Sequence, residues 1–263
     1  MRIPAVAIFI VATIYAGEPD ALSISQTIQQ RHLPYNTILS PVFASPTSGT
    51  LVSYSRCGDS AIWTGHYLAA EAFRYAASRS PEALANARRA LTGIESLVRV
   101  TGTNLLARCV VPIHSPYASA ITQEEAPNGV YTGNLNAVGH FWIGNTSRDQ
   151  YAGVFFGLGV AYDMIPDSAL RGRVSALVTT LLDFLLAKNW AVVMPDGRIS
   201  TVFWGRADQQ LSFLQVGRRV NAARFARIAW RTLRRSQPRS LMRCLMTMGL
   251  TSNSIWTPSP FTT

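Results

Sequence analysis

Charge is scarce in this sequence. Charged residues make up 14% of its 263 positions, whereas hydrophobic residues make up 48%. A largely disordered chain has the opposite balance, so the composition excludes disorder over most of the length and indicates a globular protein. The net charge of +10 arises at one end, because all fourteen acidic residues precede Gly217 and nine arginines follow it. Since this basicity is confined to the tail, and Lys188 is the only lysine, we predict no nucleic-acid partner.

Cysteine is equally rare. Cys57, Cys109 and Cys244 are too few and too scattered for a disulfide framework, and no CxxC or Cys/His spacing points to zinc. A Cys57–Cys109 bridge would require an oxidising compartment, and the sequence favours two buried free thiols instead. The sequence also lacks a glycine-rich phosphate-binding loop, a GxSxG motif and an HExxH motif. We therefore predict neither a metal nor a cofactor.

Both ends of the chain differ from its middle. Residues 1–16 have one positive charge and a short apolar run before small residues, which predicts a signal peptide and a secreted or periplasmic protein. The run is too short to predict stable membrane insertion, and a buried N-terminal segment is the alternative. Residues 17–56 predict an extended lead-in segment. Residues 236–263 predict a basic, disordered tail, whose alternative origin is the out-of-frame end of a longer gene.

The middle of the chain repeats a pair of helices. Residues 59–78 are apolar on every side, which predicts a helix buried all round. The next helix begins at Ser80 as N-cap with Pro81 in its first position, and it has one apolar face. The same pair recurs at 149–163 and 168–188, and again at 208–216 and 221–235. A four-helix bundle is the alternative, but its helices would all be amphipathic.

Two joining regions carry residues typical of strands. They are residues 105–148 and residues 190–204, and the second contains the turn signal Pro195-Asp196-Gly197. We therefore predict an all-α protein of about three helical hairpins over residues 57–235, with short β-hairpin insertions.

Three segments of this repeat resemble one known architecture. GDSAIWTGHYLAAEAFRY, NTSRDQYAGVFFGLGVAYD and RADQQLSFLQVGRR resemble inner-helix openings of the six-hairpin glycosidase-like (α/α)6 toroid. The resemblance covers roughly residues 55–220 and implies a partial toroid, C-terminally truncated because only about three hairpins are present. Members of this family include glycoside hydrolases, unsaturated uronyl hydrolases, polysaccharide lyases and sugar epimerases, and they generally bind sugar in a funnel at one end of the inner helices.

Polar residues cluster where each inner helix opens. Asp59, Trp63 and His66 share one face of a helix, and Asp149 and Asp208 open the other two inner helices. Glycoside hydrolysis usually needs two carboxyl groups, so Asp149 and Asp208 are the predicted catalytic pair, with Asp59 and His66 as further candidates. The alternative is structural, because an aspartate at a helix start also caps N–H groups and an apolar helix can bury a histidine.

Substrate binding is predicted at the same openings. Aromatic rings would stack on a sugar ring, Arg148 would hold a uronate carboxylate, and amides would bind hydroxyl groups. The predicted binding residues are Trp63, Tyr67, Arg148, Gln150, Tyr151, Trp204 and Gln209. The alternative for the aromatic residues is a place in the hydrophobic core.

The predicted function is that of a carbohydrate-active enzyme, either a glycoside hydrolase or a uronate-acting lyase or epimerase. Its partner would be an oligosaccharide or polysaccharide. The alternatives are a non-catalytic helical-repeat module that binds a glycan or a protein, and an inactive fragment of a longer enzyme. A prenyl or lanthionine-type cyclase is disfavoured by the absence of a DDxxD run and of a Cys/Cys/His zinc set. The sequence predicts no particular oligomeric state.

Overall fold

The computed structural model describes residues 17–236. The helices of this part are α1 (Glu18–Thr27), α2 (Ser60–Ser78), α3 (Pro81–Arg99), α4 (Ala118–Glu124), α5 (Arg148–Met164), α6 (Ser168–Ala187), α7 (Ala207–Val220) and α8 (Ala222–Ser236). The strands are β1 (Ser40–Phe43), β2 (Leu51–Ser55), β3 (Cys109–Pro112), β4 (Val130–Leu135), β5 (Val138–Ile143), β6 (Ala191–Val193) and β7 (Ile199–Val202). The predicted signal peptide lies outside the described residues, and so does the predicted tail apart from Ser236, which ends α8.

The described chain is mostly helical, and its strands form three small antiparallel sheets. β1 pairs with β2, β5 lies between β3 and β4, and β6 pairs with β7. The last two sheets occupy the two joining regions in which the sequence predicts hairpins. The predicted helices and hairpin insertions are therefore confirmed at this coarse level.

The helix boundaries follow from their caps. The Ser80 hydroxyl accepts a hydrogen bond from the Ala83 N–H at 3.4 Å, as predicted for the start of α3. The Asp167 carboxylate accepts one from the Leu170 N–H at 2.7 Å at the start of α6. Each cap satisfies a backbone donor that has no partner within its helix.

The helices pair as hairpins in two layers. α2, α5 and α7 lie side by side in one layer, and α3, α6 and α8 pack against them. Arg108 joins the starts of α2 and α5, since its guanidinium donates to Gly58 O at 3.1 Å and to Ser147 Oγ at 3.2 Å. The ends of α5 and α7 are joined by an ion pair between Asp163 and Arg219 at 2.7 Å. The three helices of the first layer therefore run parallel, with their N-termini at one end of the molecule.

Glycines allow α2 and α5 to approach closely. A Cβ at Gly65 would lie 2.2 Å from the carbonyl oxygen of Gly153, and a Cβ at Gly157 would lie 2.2 Å from that of Gly65. Real Cβ atoms do not approach backbone oxygen so closely. The small residues of α5 are therefore needed for helix packing, as their spacing indicates.

The segment before α2 differs from its prediction. Residues 17–56 are not extended throughout, because α1 forms at their start. Asp20 accepts a hydrogen bond from the Gly17 N–H at 2.9 Å, and Pro19 lies in the first turn, which suits helix initiation. α1 is fixed by a tertiary contact that the local sequence does not reveal, since the Ser25 hydroxyl donates to the buried Glu71 carboxylate at 2.5 Å.

Two cysteines are bonded, so the prediction of free thiols is wrong for them. Cys57 and Cys109 form a disulfide whose Cα atoms are 5.6 Å apart, and both are fully buried. They are 52 positions apart in the sequence, and only the packing of β3 beside the turn before α2 brings them together.

Candidate functional site

One side of the first helical layer is exposed and combines aromatic with polar side chains. We call it the open face, defined by Trp63 and His66 of α2, Asp149 and Phe156 of α5, and Asp208 of α7. Trp63 is 48% exposed and Phe156 is 45% exposed. These two rings lie close together on neighbouring helices, which makes a small exposed aromatic patch.

The histidine links the two aromatic rings across α2 and α5. The imidazole of His66 lies 5.8 Å from the Trp63 ring and 5.4 Å from the Phe156 ring, measured between centroids. Its Nδ1 is 2.8 Å from the carbonyl oxygen of Ile62, one helical turn back. That contact places the N–H on Nδ1, so Nε2 is the ring nitrogen that can accept a proton or a hydrogen bond.

A cleft separates α5 from α7 at the edge of Phe156. It has a volume of about 330 Å³, and its lining residues are Ala152, Phe155, Phe156, Asp208, Gln209, Ser212, Phe213 and Val216. The Oε1 atom of Gln209 is buried and has no hydrogen-bond partner in the described chain. A buried amide oxygen without a partner is unfavourable, so a small turn of the Gln209 side chain toward the cleft would allow it to accept from a ligand hydroxyl.

Each of the three predicted aspartates is bound by a near neighbour. Asp59 pairs with Arg56 at 3.3 Å, Asp208 pairs with Arg206 at 2.8 Å, and Asp149 accepts a hydrogen bond from the Ser147 hydroxyl. Asp59 occupies the N-cap position of α2 without making a side-chain capping bond. Within residues 17–236, no hydrogen bond or ion pair joins any two of the three carboxylates.

The charge of Asp208 is fixed by its arginine. The hydrogen bonds from the Arg206 guanidinium lower the pKa of Asp208 to about 2. The carboxylate is therefore ionised at neutral pH, which suits a nucleophile or an electrostatic stabiliser. It does not suit the general acid of a hydrolase, whose pKa must be raised.

Three of the predicted binding residues are buried and do not reach the open face. Tyr67 lies beneath α1, where its hydroxyl accepts from Gln29 Nε2 at 2.9 Å. Tyr151 is fully buried, its hydroxyl accepts from the Leu106 N–H, and burial raises its pKa. Gln150 is also buried and caps the start of α5, accepting from the Ser147 N–H at 3.1 Å. All three lie on the core-facing side of their helices.

Two other predicted residues lie at the same end of the molecule. Trp204 is 54% exposed, and its indole N–H donates to the carbonyl oxygen of Asn189 at 2.6 Å. That bond fixes the ring and leaves its faces accessible. Arg148 donates to the carbonyl oxygen of Val202 at 3.3 Å, which leaves part of its guanidinium for a ligand.

The residues that hold the N-terminal ends of α2 and α5 in place have no clear signal in the sequence. Glu125 is buried and accepts from the Gly58 N–H at 2.6 Å and from Asn128 Nδ2 at 2.7 Å, so it holds the turn before α2. Arg108 lies in an irregular segment with no motif to mark it. Phe156 could have been found, because it is seven positions after Asp149 and therefore on the same helical face.

No family model, curated protein or solved structure matches this chain. The site must therefore be interpreted from its own chemistry. Within residues 17–236, no group of three or more His, Cys, Asp or Glu side chains could hold a metal ion. In that same part of the chain, no helix combines the length and the apolar character needed to cross a bilayer.

Proposed function

We propose that this protein binds a glycan on the open face, along the N-terminal halves of α2, α5 and α7. The observation that carries this proposal is the pair of exposed rings, Trp63 and Phe156, held on either side of His66. Sugar rings present C–H groups on one face and hydroxyls at their edges. An aromatic surface bordered by Asp208 and Gln209 complements both.

The helical layers also support the (α/α) toroid architecture, which we propose as the fold. Three parallel inner helices, each followed by an outer partner, are the arrangement that the toroid repeats. A glycan on the open face would then contact the inner helices near their openings. The Cys57–Cys109 disulfide supports a secreted or periplasmic location, because disulfides persist mainly in oxidising compartments.

Hydrolysis or elimination is a second candidate function. The ionised Asp208 beside the cleft favours it, because a carboxylate there can act as a nucleophile or stabilise positive charge in the transition state. His66 Nε2 would then be the group that exchanges a proton on the same face. A binding module without catalysis and an inactive fragment are the alternatives, and turnover distinguishes them from an enzyme.

Binding is tested by calorimetric titration of the full chain with neutral and uronate-containing oligosaccharides. We expect Trp63→Ala and Phe156→Ala each to weaken binding up to about tenfold, since a well-placed aromatic contact is worth about 0.5–1.5 kcal/mol. Phe73→Ala is the matched control, because Phe73 is 49% exposed on α2 but does not line the cleft between α5 and α7. Equal losses in all three variants, or no binding by the parent chain, would refute the proposal.

Catalysis is tested separately on whichever glycan binds. Asp208→Asn and Asp149→Asn should abolish product formation while leaving the dissociation constant within a few-fold. Arg206→Ala is informative, because loss of the arginine should raise the pKa of Asp208 toward its usual range and shift the acid limb of the pH–rate profile upward. If the protein binds a glycan but never converts it to product, then it is a binding module and not an enzyme.

A further inference from the structure

A long groove lies between α1 and the last three turns of α2. Its volume is about 950 Å³, whereas small-molecule sites in proteins usually measure about 300–1,000 Å³. None of its lining residues belongs to the open face. We call it the α1–α2 groove, and its size makes it a second candidate binding site on this protein.

The apolar part of the groove wall is mainly aliphatic. Leu22, Ile24 and Phe73 are among its lining residues, and they are 41%, 61% and 49% exposed. The lining residues of α2 recur every three or four positions from Tyr67 to Ser78, so the groove follows the helix for roughly 16 Å at 1.5 Å per residue. A long aliphatic groove fits an extended acyl chain better than a compact or planar molecule.

Arg74 brings hydrogen-bond donors to this groove that the described chain does not use. Its Nε donates to the buried Glu71 carboxylate at 2.8 Å, which anchors the guanidinium. Nη1 lies 3.7 Å from Glu82, beyond hydrogen-bond distance, and Nη2 is buried without a partner in residues 17–236. Since an unpaired buried donor is unfavourable, a small turn of the guanidinium would allow it to donate to a ligand oxygen in the groove.

The other buried polar groups of the groove are already paired. The Ser25 hydroxyl donates to Glu71 Oε1 at 2.5 Å, so both oxygens of that carboxylate have a partner. The Tyr67 hydroxyl accepts from Gln29 Nε2 at 2.9 Å. Among these buried groups, the terminal N–H groups of Arg74 are what is left unused, so the ligand must present a hydrogen-bond acceptor.

The acceptor that fits the groove is uncharged. Three carboxylates line the groove, those of Glu18, Glu71 and Glu82, against the single guanidinium of Arg74. A ligand carboxylate would therefore enter net negative surroundings, and a charge removed from water without compensation is costly. A ligand ammonium group would face Arg74 and has no lone pair with which to accept its hydrogen bonds. A carbonyl oxygen accepts those bonds without adding charge.

We propose that the α1–α2 groove binds a neutral single-chain lipid that carries an acyl carbonyl group. The acyl chain lies along Leu22, Ile24 and Phe73, and the carbonyl oxygen accepts from the terminal nitrogens of Arg74. The contact buries apolar surface that is otherwise exposed to water. The proposal does not depend on glycan binding, because it uses no residue of the open face.

The experiment is displacement of Nile red, an uncharged dye that fluoresces in apolar sites, from the full chain. We expect the dye to bind and monodecanoylglycerol to displace it, with every lipid held below its micelle concentration. Decanoate and decylammonium have chains of matched length but charged head groups. Each should displace the dye at least about tenfold less well, because burial of an uncompensated charge opposes binding.

Two variants locate the lipid in the groove. Ala70→Trp adds a large side chain at an exposed lining position of α2, so it should fill the groove and abolish binding without disturbing the core. Ile24→Ser should weaken monodecanoylglycerol binding about threefold to tenfold, because it removes apolar contact area. Ile199→Ser is its matched control, since Ile199 is 53% exposed on β7 and does not line the groove.

Arg74→Lys tests how the carbonyl group is recognised. Lysine keeps the positive charge beside Glu71 but lacks the Nη atoms, so monodecanoylglycerol should bind about threefold to tenfold more weakly. An unchanged circular dichroism spectrum and melting temperature would show that the variant is folded. Affinity equal to that of the parent would remove Arg74 from the site.

Two further variants separate this proposal from glycan binding. Phe73→Ala should weaken lipid binding and retain glycan affinity, whereas Trp63→Ala should do the reverse. Three results would overturn the proposal: a parent chain that binds neither Nile red nor monodecanoylglycerol, an Ala70→Trp variant that binds the lipid as the parent does, and decanoate that binds as tightly as monodecanoylglycerol.

Discussion

Gly65 of α2 and Gly153 of α5 meet backbone to backbone, with the Cβ position of Gly65 2.2 Å from the Gly153 carbonyl oxygen. A side chain at either position must move one helix away from the other, because a backbone atom cannot yield as a flexible side chain does. We therefore expect Gly65→Ala to destabilise the protein by about 1–3 kcal/mol, the usual cost of overpacking. Urea denaturation followed by circular dichroism measures the change.

Gly172→Ala is the matched control for this substitution. Gly172 is exposed within α6, and nothing lies within 4 Å of its Cβ position. Alanine there should stabilise the protein by about 0.4–1 kcal/mol, because it restricts the unfolded chain and favours the helix. A Gly65→Ala variant as stable as the parent would contradict the close helix approach.

The helices were predictable because their signals are local. Apolar periodicity and caps such as Ser80 depend on residues within a few positions of one another, and α3, α5 and α6 begin within one residue of the expected positions. The site was only partly predictable, because exposure depends on distant packing. Tyr67 is buried by α1, whose Ser25 contacts it from 42 positions earlier, whereas Trp63 on the same helix as Tyr67 stays exposed because nothing described covers it.

The Cys57–Cys109 disulfide closes a long loop, and its removal should lower stability. Under the chain-entropy account, a bridge between residues 52 apart contributes about 3–4 kcal/mol. Cys57→Ala with Cys109→Ala should therefore lower the melting temperature strongly, as should reductant added to the parent protein. Cys244→Ala, which lies outside the described residues, is the comparison. A parent protein whose melting is indifferent to reductant would exclude the bridge.

Arg108 should matter more than its irregular segment suggests. Its guanidinium donates to the carbonyl oxygens of Gly58 and Asn145 and to the Ser147 hydroxyl, so it ties the start of α2 to the start of α5. We expect Arg108→Ala to cost about 1.5–3 kcal/mol of stability, the range for hydrogen bonds to a charged group.

The comparison for Arg108 is Arg99→Ala. The guanidinium of Arg99 makes one exposed hydrogen bond, to Asn136, and its loss should change stability by less than about 0.5 kcal/mol. Equal effects of the two substitutions in guanidinium chloride denaturation would mean that Arg108 does not link the helices. Arg108→Lys should recover only part of the loss, since an ammonium group cannot reach three divergent acceptors.

The pKa of Tyr67 predicts how the stability of the protein changes at alkaline pH. Burial, reinforced by the nearby Glu71 carboxylate, raises the pKa of Tyr67 to about 12, against 10.0 for a free tyrosine. The folded protein therefore retains this proton between pH 10 and pH 12, whereas the unfolded chain releases it. The contribution to the free energy of unfolding is complete below pH 10 and is lost as pH rises toward 12.

Tyr67→Phe separates this titration from the hydrogen bonds that the hydroxyl makes. At neutral pH the variant should lose about 1 kcal/mol, because Gln29 and Ser25 lose a partner. Between pH 10 and pH 12 its stability should decline less steeply than that of the parent, since the variant lacks the phenol whose pKa is raised on folding. The measurements are melting temperature against pH and the ultraviolet absorbance of tyrosinate. If the variant and the parent declined in parallel, Tyr67 would titrate like an exposed tyrosine, and α1 would not cover it in solution.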